Sequence, residues 1–214
     1  MKSLEILHED DISIIINKPA GLAVQGGKGI KTSLDRLLAE MRSDFRTSPP
    51  LLVHRLDRDT SGVLLAARGK TSAARFSSVF SAEGKVIKQY IAVCKGHPAK
   101  NEGIINEELN IHGKLKKSIT KYKVIKTGVI EPANCEYSIL EIELGTGRMH
   151  QIRRHLAMTG NPVLGDDKYG DFKLNKLLYK TIKLKKLLLH ASRLVIREVN
   201  IDVSAPVPEY FGGL

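Results

Sequence analysis

The amino-acid sequence predicts an α+β fold with a mixed, mainly antiparallel sheet flanked by helices. Strand-like segments outnumber helical ones, and most successive segments are joined too closely for the long crossovers that parallel strands need. Hydrophobic residues make up 42% of the 214 residues, which is enough to bury a core. Because the chain has no internal repeat and no long linker, residues 1–214 are expected to form a single domain.

Strands are indicated by alternating or β-branched segments. They are ISIIIN (12–17), VLLAA (63–67), VIKQYIAVC (86–94), ITKYKVI (119–125), CEYSILEIEL (135–144) and LLLHASRLVI (187–196). In CEYSILEIEL the alternation changes phase between Ile139 and Leu140, which predicts a bulge there. The first strand ends in a turn that Lys18, Pro19 and Gly21 are expected to shape as scaffold.

Helices are indicated by the spacing of apolar residues in three segments. They are TSLDRLLAEMR (32–42), TSAARFSSVFSAEG (71–84) and GRMHQIRRHLAMTG (147–160). Thr71 is expected to cap the second helix. In the third, Met149, Ile152 and Leu156 form the apolar stripe, so Arg153 lies off the stripe and can point away from the core.

The charge balance favours a polyanionic partner. Lys and Arg total 34 against 23 Asp and Glu, which gives a net charge of +11. Nucleic acid and an acidic membrane surface both fit that charge. Lysines are concentrated at 114–123 and at 173–186, and each cluster is either a phosphate contact or simply a solvated face.

No segment resembles a targeting signal or a membrane anchor. The N-terminus MKSLEILHEDD carries acids where a signal peptide needs an apolar core. No apolar run approaches the roughly 20 residues of a membrane-spanning helix. Cys94 and Cys135 lie in strand-like segments without CxxC spacing, so two buried thiols in a reducing compartment are expected. The protein is therefore predicted to be soluble and cytoplasmic.

The segment HRLDRDTSG (54–62) combines two arginines, two aspartates and a histidine at the start of an apolar strand. A turn whose aspartates satisfy backbone N–H groups would explain it. A metal site of His54, Asp57 and Asp59 is a second interpretation, although flanking guanidinium groups disfavour a cation. The third is a carboxylate, Asp57, that arginine keeps ionised for use as a nucleophile or base.

HRLDRDTSG resembles the second motif of the RluA family of pseudouridine synthases, in which the aspartate of HRLD is catalytic. Three other segments are similar to family motifs and follow in the family's order: NKPAGLAV (17–24), KQYIA (88–92) and GRMHQIRRHLAMTGNPVLGDDKYG (147–170). Met149 departs from the small residue that is usual at its position. The chain is expected to start directly at the catalytic region, without the small N-terminal RNA-binding domain of many relatives.

The resemblance implies a pseudouridine-synthase catalytic fold with a central RNA-binding cleft. The implied reaction isomerises uridine within RNA, without metal or cofactor. Asp57 would be the essential carboxylate, and whether it attacks the ribose, adds to the uracil or removes a ribose proton is open. Tyr90 would stack on the target base and help remove the final proton, and Arg153 would pair with Asp57.

A set of polar residues around these three is expected to bind substrate. They are Arg55, Arg58, Lys88, Arg148, His150 and Arg154. Arg55 would keep the target nucleotide out of its stack, since an enzyme reaches this glycosidic bond only after base flipping. Arg154 and His155 are expected at the surface, facing solvent or phosphate.

Other functions fit parts of the pattern. A non-catalytic RNA-binding protein would need only the charge, an N-glycoside hydrolase would want Asp59 as a second carboxylate, and a nuclease would need a metal. The segments LAVQGGKG and GDDKYGD favour large-subunit ribosomal RNA (23S) as substrate, with transfer RNA possible. A monomer is expected.

Overall fold

The computed structural model describes residues 4–40 and 49–212, which contain twelve strands, four α-helices and short 3₁₀ turns. The chain divides into two compact units. Unit 1 takes in the chain up to Ile87 and the segment Ala191–Pro206, and unit 2 takes in Lys88–His190 and the chain from Val207. Antiparallel strand pairs occur in both units, and the α+β class is confirmed.

Unit 1 is built on the buried strand that ISIIIN predicts. That strand, β2, pairs with its neighbours on both edges in the order β1-β2-β4, while β3 pairs with β4 and β12 with β11. The bounds are β1 Glu5–Glu9, β2 Ser13–Lys18, β3 Leu51–Leu52, β4 Ser61–Ala67, β11 Leu189–Ile196 and β12 Ile201–Ser204. β4 is buried along its whole length, which explains its unbroken apolar run.

Two helices belong to unit 1, α1 (Leu34–Glu40) and α2 (Gly69–Ser81). Phe76 and Val79 of α2 pack against strand residues that include Leu65. The prediction that Thr71 caps α2 is wrong, because the helix begins two residues earlier, after Arg68. The predicted continuation of α1 beyond residue 40 lies outside the described residues.

Unit 2 contains a second antiparallel arrangement, with strands in the order β5-β10-β9-β6 and a separate hairpin, β7-β8. The bounds are β5 Ile87–Lys95, β6 Glu102–Ile105, β7 Leu109–Ile111, β8 Lys114–Lys116, β9 Thr120–Ile130 and β10 Cys135–Leu144. The register shifts between Ile139 and Leu140, where β9 carries Ile125 as an extra residue. The irregularity predicted at this point is confirmed.

The helices of unit 2 are α3 (Gln151–Met158) and α4 (Phe172–Ile182). The prediction that Met149 belongs to the apolar stripe of α3 is wrong. Met149 precedes the helix and is 46% exposed, because His150 adopts a left-handed conformation with a φ of 54° and forms the N-cap. The helix α4 was not predicted.

The two cysteines, Cys94 and Cys135, are both free and buried, as expected. Burial raises the pKa of the Cys94 thiol to about 12, so this side chain stays protonated and packs as a small apolar group. Among residues 4–40 and 49–212, no helix is long and apolar enough to cross a bilayer.

Gly62, the last residue of HRLDRDTSG, provides a test of backbone packing in unit 1. Its φ is 110°, and a Cβ at this position would lie 2.1 Å from the carbonyl oxygen of Ala191. We expect Gly62→Ala to lower the free energy of unfolding by about 3–4 kcal/mol, because the backbone must move and also bear a strained φ. Urea denaturation followed by circular dichroism measures this change.

Gly69→Ala is the matched control for Gly62→Ala. Gly69 also has a positive φ, 75°, but no atom lies within 4 Å of the added Cβ. Its substitution should cost only the conformational strain, about 1–2 kcal/mol. Equal losses in the two variants would contradict the close approach of Gly62 to Ala191.

Candidate active site

The segment HRLDRDTSG lies in unit 1 and runs into β4. Leu56 and Thr60 are buried, and the backbone N–H of Thr60 donates to the carbonyl of Asp57 at 3.2 Å. The Asp57 side chain itself is half-buried, whereas Arg55 and Arg58 are exposed. The segment therefore holds two carboxylates, Asp57 and Asp59, at the boundary between core and solvent, with two guanidinium groups outside them.

His54 has a structural role. Its Nε2 accepts a hydrogen bond from the backbone N–H of Leu65 at 2.9 Å, and its ring stacks on Phe80 with centroids 4.3 Å apart. The Nε2 lone pair is thus already engaged and is not available to a metal. In the part of the chain that the structure describes, no three His, Cys, Asp or Glu side chains cluster as metal ligands would.

Lys18 fixes the backbone on which Asp57 lies. Its side chain is 0% exposed, and its Nζ donates to the carbonyl oxygens of Pro19 at 3.0 Å, Leu22 at 2.9 Å and Arg58 at 2.9 Å. The Arg58 carbonyl also accepts from the backbone N–H of Gly21 at 2.9 Å. One ammonium group therefore joins the turn after β2 to the segment that carries Asp57.

The electrostatics of Lys18 follow from its burial. Burial lowers the pKa of Lys18 to about 8, while the carboxylates of Asp59 and Asp57 act in the opposite direction. Those two acids are therefore the charges that favour the buried ammonium. Asp59 also accepts from the guanidinium of Arg58 at 3.3 Å.

Tyr90 and Lys88 lie on β5 in unit 2. Tyr90 is buried, at 8% exposure, and pairs in register with Ile142 of β10. Lys88 is half-buried, and its Nζ lies 3.5 Å from the position that a Cβ on Gly147 would occupy. Burial and then the charge of Arg148 lower the pKa of Lys88. The structure thus brings together two of the predicted substrate-binding cations, Lys88 and Arg148.

Arg153 forms a buried ion pair in unit 2. Its Nε and Nη2 each donate to a different carboxylate oxygen of Asp166 at 2.7 Å, and Nη2 also donates to Asp167 at 3.1 Å. The backbone N–H groups of Lys168 and Tyr169 donate to the same Asp166 carboxylate. Burial raises the pKa of Asp166, but the hydrogen bonds from Arg153 and from these N–H groups together lower it.

Asp166 and Tyr169 contact predicted site residues, and the sequence did not reveal these contacts. The ring of Tyr169 lies 5.4 Å from the Arg153 guanidinium carbon, and its hydroxyl lies 3.0 Å from Nδ1 of His150. Both residues belong to GDDKYG (165–170). The sequence motif therefore identified this segment but did not predict which residues it contacts. The structure thus brings His150 and Arg153 together through Tyr169.

Arg154 and His155 of α3, both expected at the surface, have different environments. Arg154 is half-buried and donates to the carbonyl of Asn110 at 3.0 Å. The prediction that His155 is at the surface is wrong. His155 is fully buried, with its ring nitrogens 2.9 Å from the Thr120 hydroxyl and 3.1 Å from the Glu107 carbonyl. It shares the buried face of the helix with Ile152, three residues earlier.

Lys18→Met tests the role of the buried ammonium. Because the carbonyls of Pro19, Leu22 and Arg58 lose the hydrogen bonds from the ammonium, we expect the free energy of unfolding to fall by about 2–3 kcal/mol near pH 7. The pKa of Lys18 is about 8 when folded and 10.5 in its ordinary state, so between these values the unfolded chain holds more protons. Wild-type stability should therefore rise relative to the variant as pH increases through this window. Urea denaturation across this pH range measures both effects.

Lys70→Met, a change at an exposed lysine of α2, serves as the control for Lys18→Met. Its unfolding free energy should stay within about 0.5 kcal/mol of the wild type. A constant difference between wild type and Lys18→Met from pH 7 to pH 10 would contradict the lowered pKa.

Asp166→Asn tests the buried ion pair. Loss of the carboxylate leaves the Arg153 charge buried, so we expect the unfolding free energy to fall by about 3–5 kcal/mol. Because the pKa of Asp166 is lowered from 3.8, the wild type keeps this stability above that value and loses it as pH falls through the folded pKa. Asp167→Asn changes a more exposed partner of the same arginine and should cost less than about 1 kcal/mol. Equal losses on urea denaturation would refute the dominant role of Asp166.

Comparisons with known proteins agree with these features. The family model for RNA pseudouridylate synthase matches residues 12–158. The ribosomal large subunit pseudouridine synthase C of Rickettsia typhi is 37% identical over 227 residues, which cover 96% of this chain and 69% of the relative. An uncharacterized RNA pseudouridine synthase of Zymomonas mobilis is 35% identical, with 98% of this chain and 96% of the relative covered.

Solved structures give the same result. The human RNA pseudouridylate synthase domain containing 4 superposes with a TM-score of 0.78 at 27% identity, covering 98% of this chain and 90% of the human one. The matched residues 12–158 include HRLDRDTSG, β5 and α3, so the match takes in Asp57, Tyr90 and Arg153. The chain belongs to the RNA pseudouridylate synthase family.

Proposed function

We propose that this protein isomerises specific uridines of structured RNA to pseudouridine, with large-subunit (23S) ribosomal RNA as the substrate. The relative from Rickettsia typhi is named for the ribosomal large subunit, which supports that choice over transfer RNA. A net charge of +11 supports binding to a polyanion. Recognition of structured RNA rests on shape and on splayed bases, and because aromatic residues make up only 5% of the chain, stacking on those bases falls to a few Tyr and Phe.

The reaction rearranges bonds within one nucleotide. The bond between uracil N1 and ribose C1′ breaks, the base rotates, and C5 becomes joined to C1′. The hydrogen of C5 leaves as a proton, and N1 gains one, so the product is an isomer of the substrate. The target base must first be flipped out of its stack, which costs a few kcal/mol.

The half-buried carboxylate of Asp57 carries this proposal. The buried Lys18 ammonium fixes the segment by donating to the backbone carbonyl of Arg58, next to Asp57. Lys18 therefore positions the Asp57 carboxylate without forming a hydrogen bond to it. Partial desolvation makes such a group more reactive than a fully hydrated one. Asp57 is the essential carboxylate in each of the three routes, whether through the ribose, the uracil ring or a ribose proton.

Tyr90 and Arg153 complete the proposed catalytic set. Tyr90 provides the face on which the target base stacks and assists removal of the C5 proton. Arg153 is the cationic member of this set, and its bidentate pairing with Asp166 supports the role by fixing the guanidinium plane.

The proposed substrate-binding residues are all cationic or able to become so. Lys88 of β5 and Arg148, which precedes α3, form a pair of neighbouring cations. Together they would attract a phosphate group. The others are Arg55, Arg58, His150 and Arg154. Arg55 and Arg58 are exposed, which leaves their guanidinium groups accessible to RNA.

The proposal includes catalysis without metal or cofactor, by a monomer in the cytoplasm. Turnover should therefore be unchanged by a chelator, whereas a metal-dependent nuclease would lose its activity. Sedimentation at the concentration used for turnover tests the monomer.

Asp57→Asn tests the proposed reaction. The amide has nearly the size of the carboxylate but neither its charge nor its nucleophilicity, so turnover should fall by at least about a thousandfold. RNA binding should persist because the basic surface is unchanged. The measurement is tritium release from RNA labelled at uracil C5, with large-subunit ribosomal and transfer RNA transcripts assayed separately.

Asp11→Asn, at an exposed aspartate in unit 1, is the matched control and should keep full turnover. Tritium release from the transfer RNA transcript alone would show that transfer RNA, and not large-subunit ribosomal RNA, is the substrate. Free uracil in the products would indicate hydrolysis instead of isomerisation. Tritium release by Asp57→Asn at the wild-type rate would refute the catalytic assignment.

A further inference from the structure

The helix α4 has one buried face and one exposed face. Leu178 is fully buried, and Leu174 and Ile182 pack on the same core of unit 2, one turn to either side. The opposite face, defined here as the α4 face, is solvent-exposed along its length. Its residues are Phe172, Lys176, Tyr179, Lys180 and Lys183.

The charge of this region is not neutralised by neighbours. Residues 172–186 contain six lysines and no acid, and all six lysines are exposed. In the part of the chain that the structure describes, none of these six forms an ion pair with a carboxylate. By contrast, Lys95 pairs with Asp171 just before the helix at 2.8 Å, and Lys121 pairs with Glu143 at 3.2 Å. Lys183 donates to the Lys180 carbonyl at 3.1 Å, and Lys185 lies 5.5 Å from the centroid of the Tyr179 ring, but these contacts do not neutralise charge.

Two aromatic rings lie among these lysines. Phe172 is 61% exposed and Tyr179 is 47% exposed. They are seven residues apart on the same face, or about 10 Å along the axis. Exposed rings interleaved with cations are the arrangement by which proteins bind unpaired nucleotides, since bases stack on the rings while lysines neutralise phosphates.

The helix is firmly attached to the segment that holds Arg153. Asn175 donates to the carbonyl of Asp166 at 2.8 Å and accepts from the backbone N–H of Gly165 at 3.0 Å. The side chain of Asp171 caps the helix by accepting from Leu174 N–H at 3.0 Å. A ligand bound to the α4 face would therefore be held at a fixed position relative to the Arg153–Asp166 pair.

We propose that the α4 face is an accessory RNA-contact surface that binds a single-stranded segment of the substrate beside the target uridine. The inference rests on the proposed function. A membrane is a poorer partner, because the continuous apolar stripe of α4 is buried and the two exposed rings are separated by lysines. An acidic protein would use the charge but would not require the two rings.

The experiment compares two triple variants that remove the same charge. One is Lys176→Ala with Lys180→Ala and Lys183→Ala, and the other is Lys70→Ala with Lys100→Ala and Lys126→Ala, at exposed lysines elsewhere. Binding to a labelled, unstructured RNA of about 12 nucleotides is followed by fluorescence anisotropy over a range of salt concentrations. Circular dichroism confirms that each variant is folded.

The α4 triple variant should bind at least about 10-fold more weakly, and the slope of log K against log salt should fall by about 2, or 0.7 for each lost contact. The control triple variant should remain within about twofold of the wild type. Equal weakening in both variants would overturn the proposal, because it would mean that only net charge matters. Unchanged RNA binding by the α4 variant, with loss of binding to vesicles of anionic lipid, would overturn it in favour of a membrane.

A second variant separates stacking from charge. Phe172→Leu with Tyr179→Leu keeps apolar side chains and should weaken binding to the same RNA about 10-fold without changing the salt slope. Binding at wild-type strength would refute the role of the rings. In the tritium assay, the α4 lysine variant should raise KM and leave kcat close to the wild-type value.

The two proposals can fail separately. RNA binding that depends on the α4 face, in a protein that releases no tritium, would refute isomerisation and keep the accessory surface. Full tritium release with a KM that is unchanged in the α4 variant would refute the accessory surface and keep isomerisation.

Discussion

The position of the proposed catalytic carboxylate depends on one buried ammonium group. Lys18 ends β2, the central buried strand of unit 1, and binds three carbonyl oxygens that belong to two separate segments. A buried charge is costly unless each of its hydrogen-bonding positions is filled, and an ammonium has three donors. The observed arrangement of the two segments fills all three, so the contact that makes Lys18 tolerable in the core also holds the backbone next to Asp57.

Unit 2 uses a comparable device with the opposite arrangement of charges. Arg153 is held by a carboxylate, Asp166, which in turn is held by two backbone N–H groups. Such a pair adds little to net stability compared with apolar residues, because desolvation offsets the attraction. Its effect is geometric, since a bidentate pair fixes the plane of the guanidinium group. In both units, buried charge defines the orientation of a side chain more than it stabilises the fold.

The sequence correctly predicted those elements in which the spacing of apolar residues determines which side chains are buried. CEYSILEIEL is strand β10 with the predicted bounds, and the change of phase at Ile139 marks a real register shift. The prediction failed where the conformation of one residue shifts the start of a helix. Because His150 is left-handed, α3 begins at Gln151 and Met149 is exposed. The burial of the His155 side chain depends on its hydrogen bond with Thr120, which is distant in sequence. Lys18 was predicted to be an ordinary turn residue. Its burial depends on a hydrogen bond to the Arg58 carbonyl, 40 residues away, which a local sequence pattern does not reveal.

The helix α4 escaped prediction for a related reason, and that reason bears on function. The sequence interpretation identifies residues 173–186 only as a lysine cluster, and the exposed Phe172 and Tyr179 lie outside the buried face that includes Leu178. A helix that served only to cover the core would gain solubility by replacing exposed rings with polar groups. Lysines that have no acidic neighbours also repel one another, which destabilises the isolated protein slightly. Both costs are removed when a polyanion with stacking bases is bound, and this is why the features that obscured the helix in the sequence support an RNA-facing role for it.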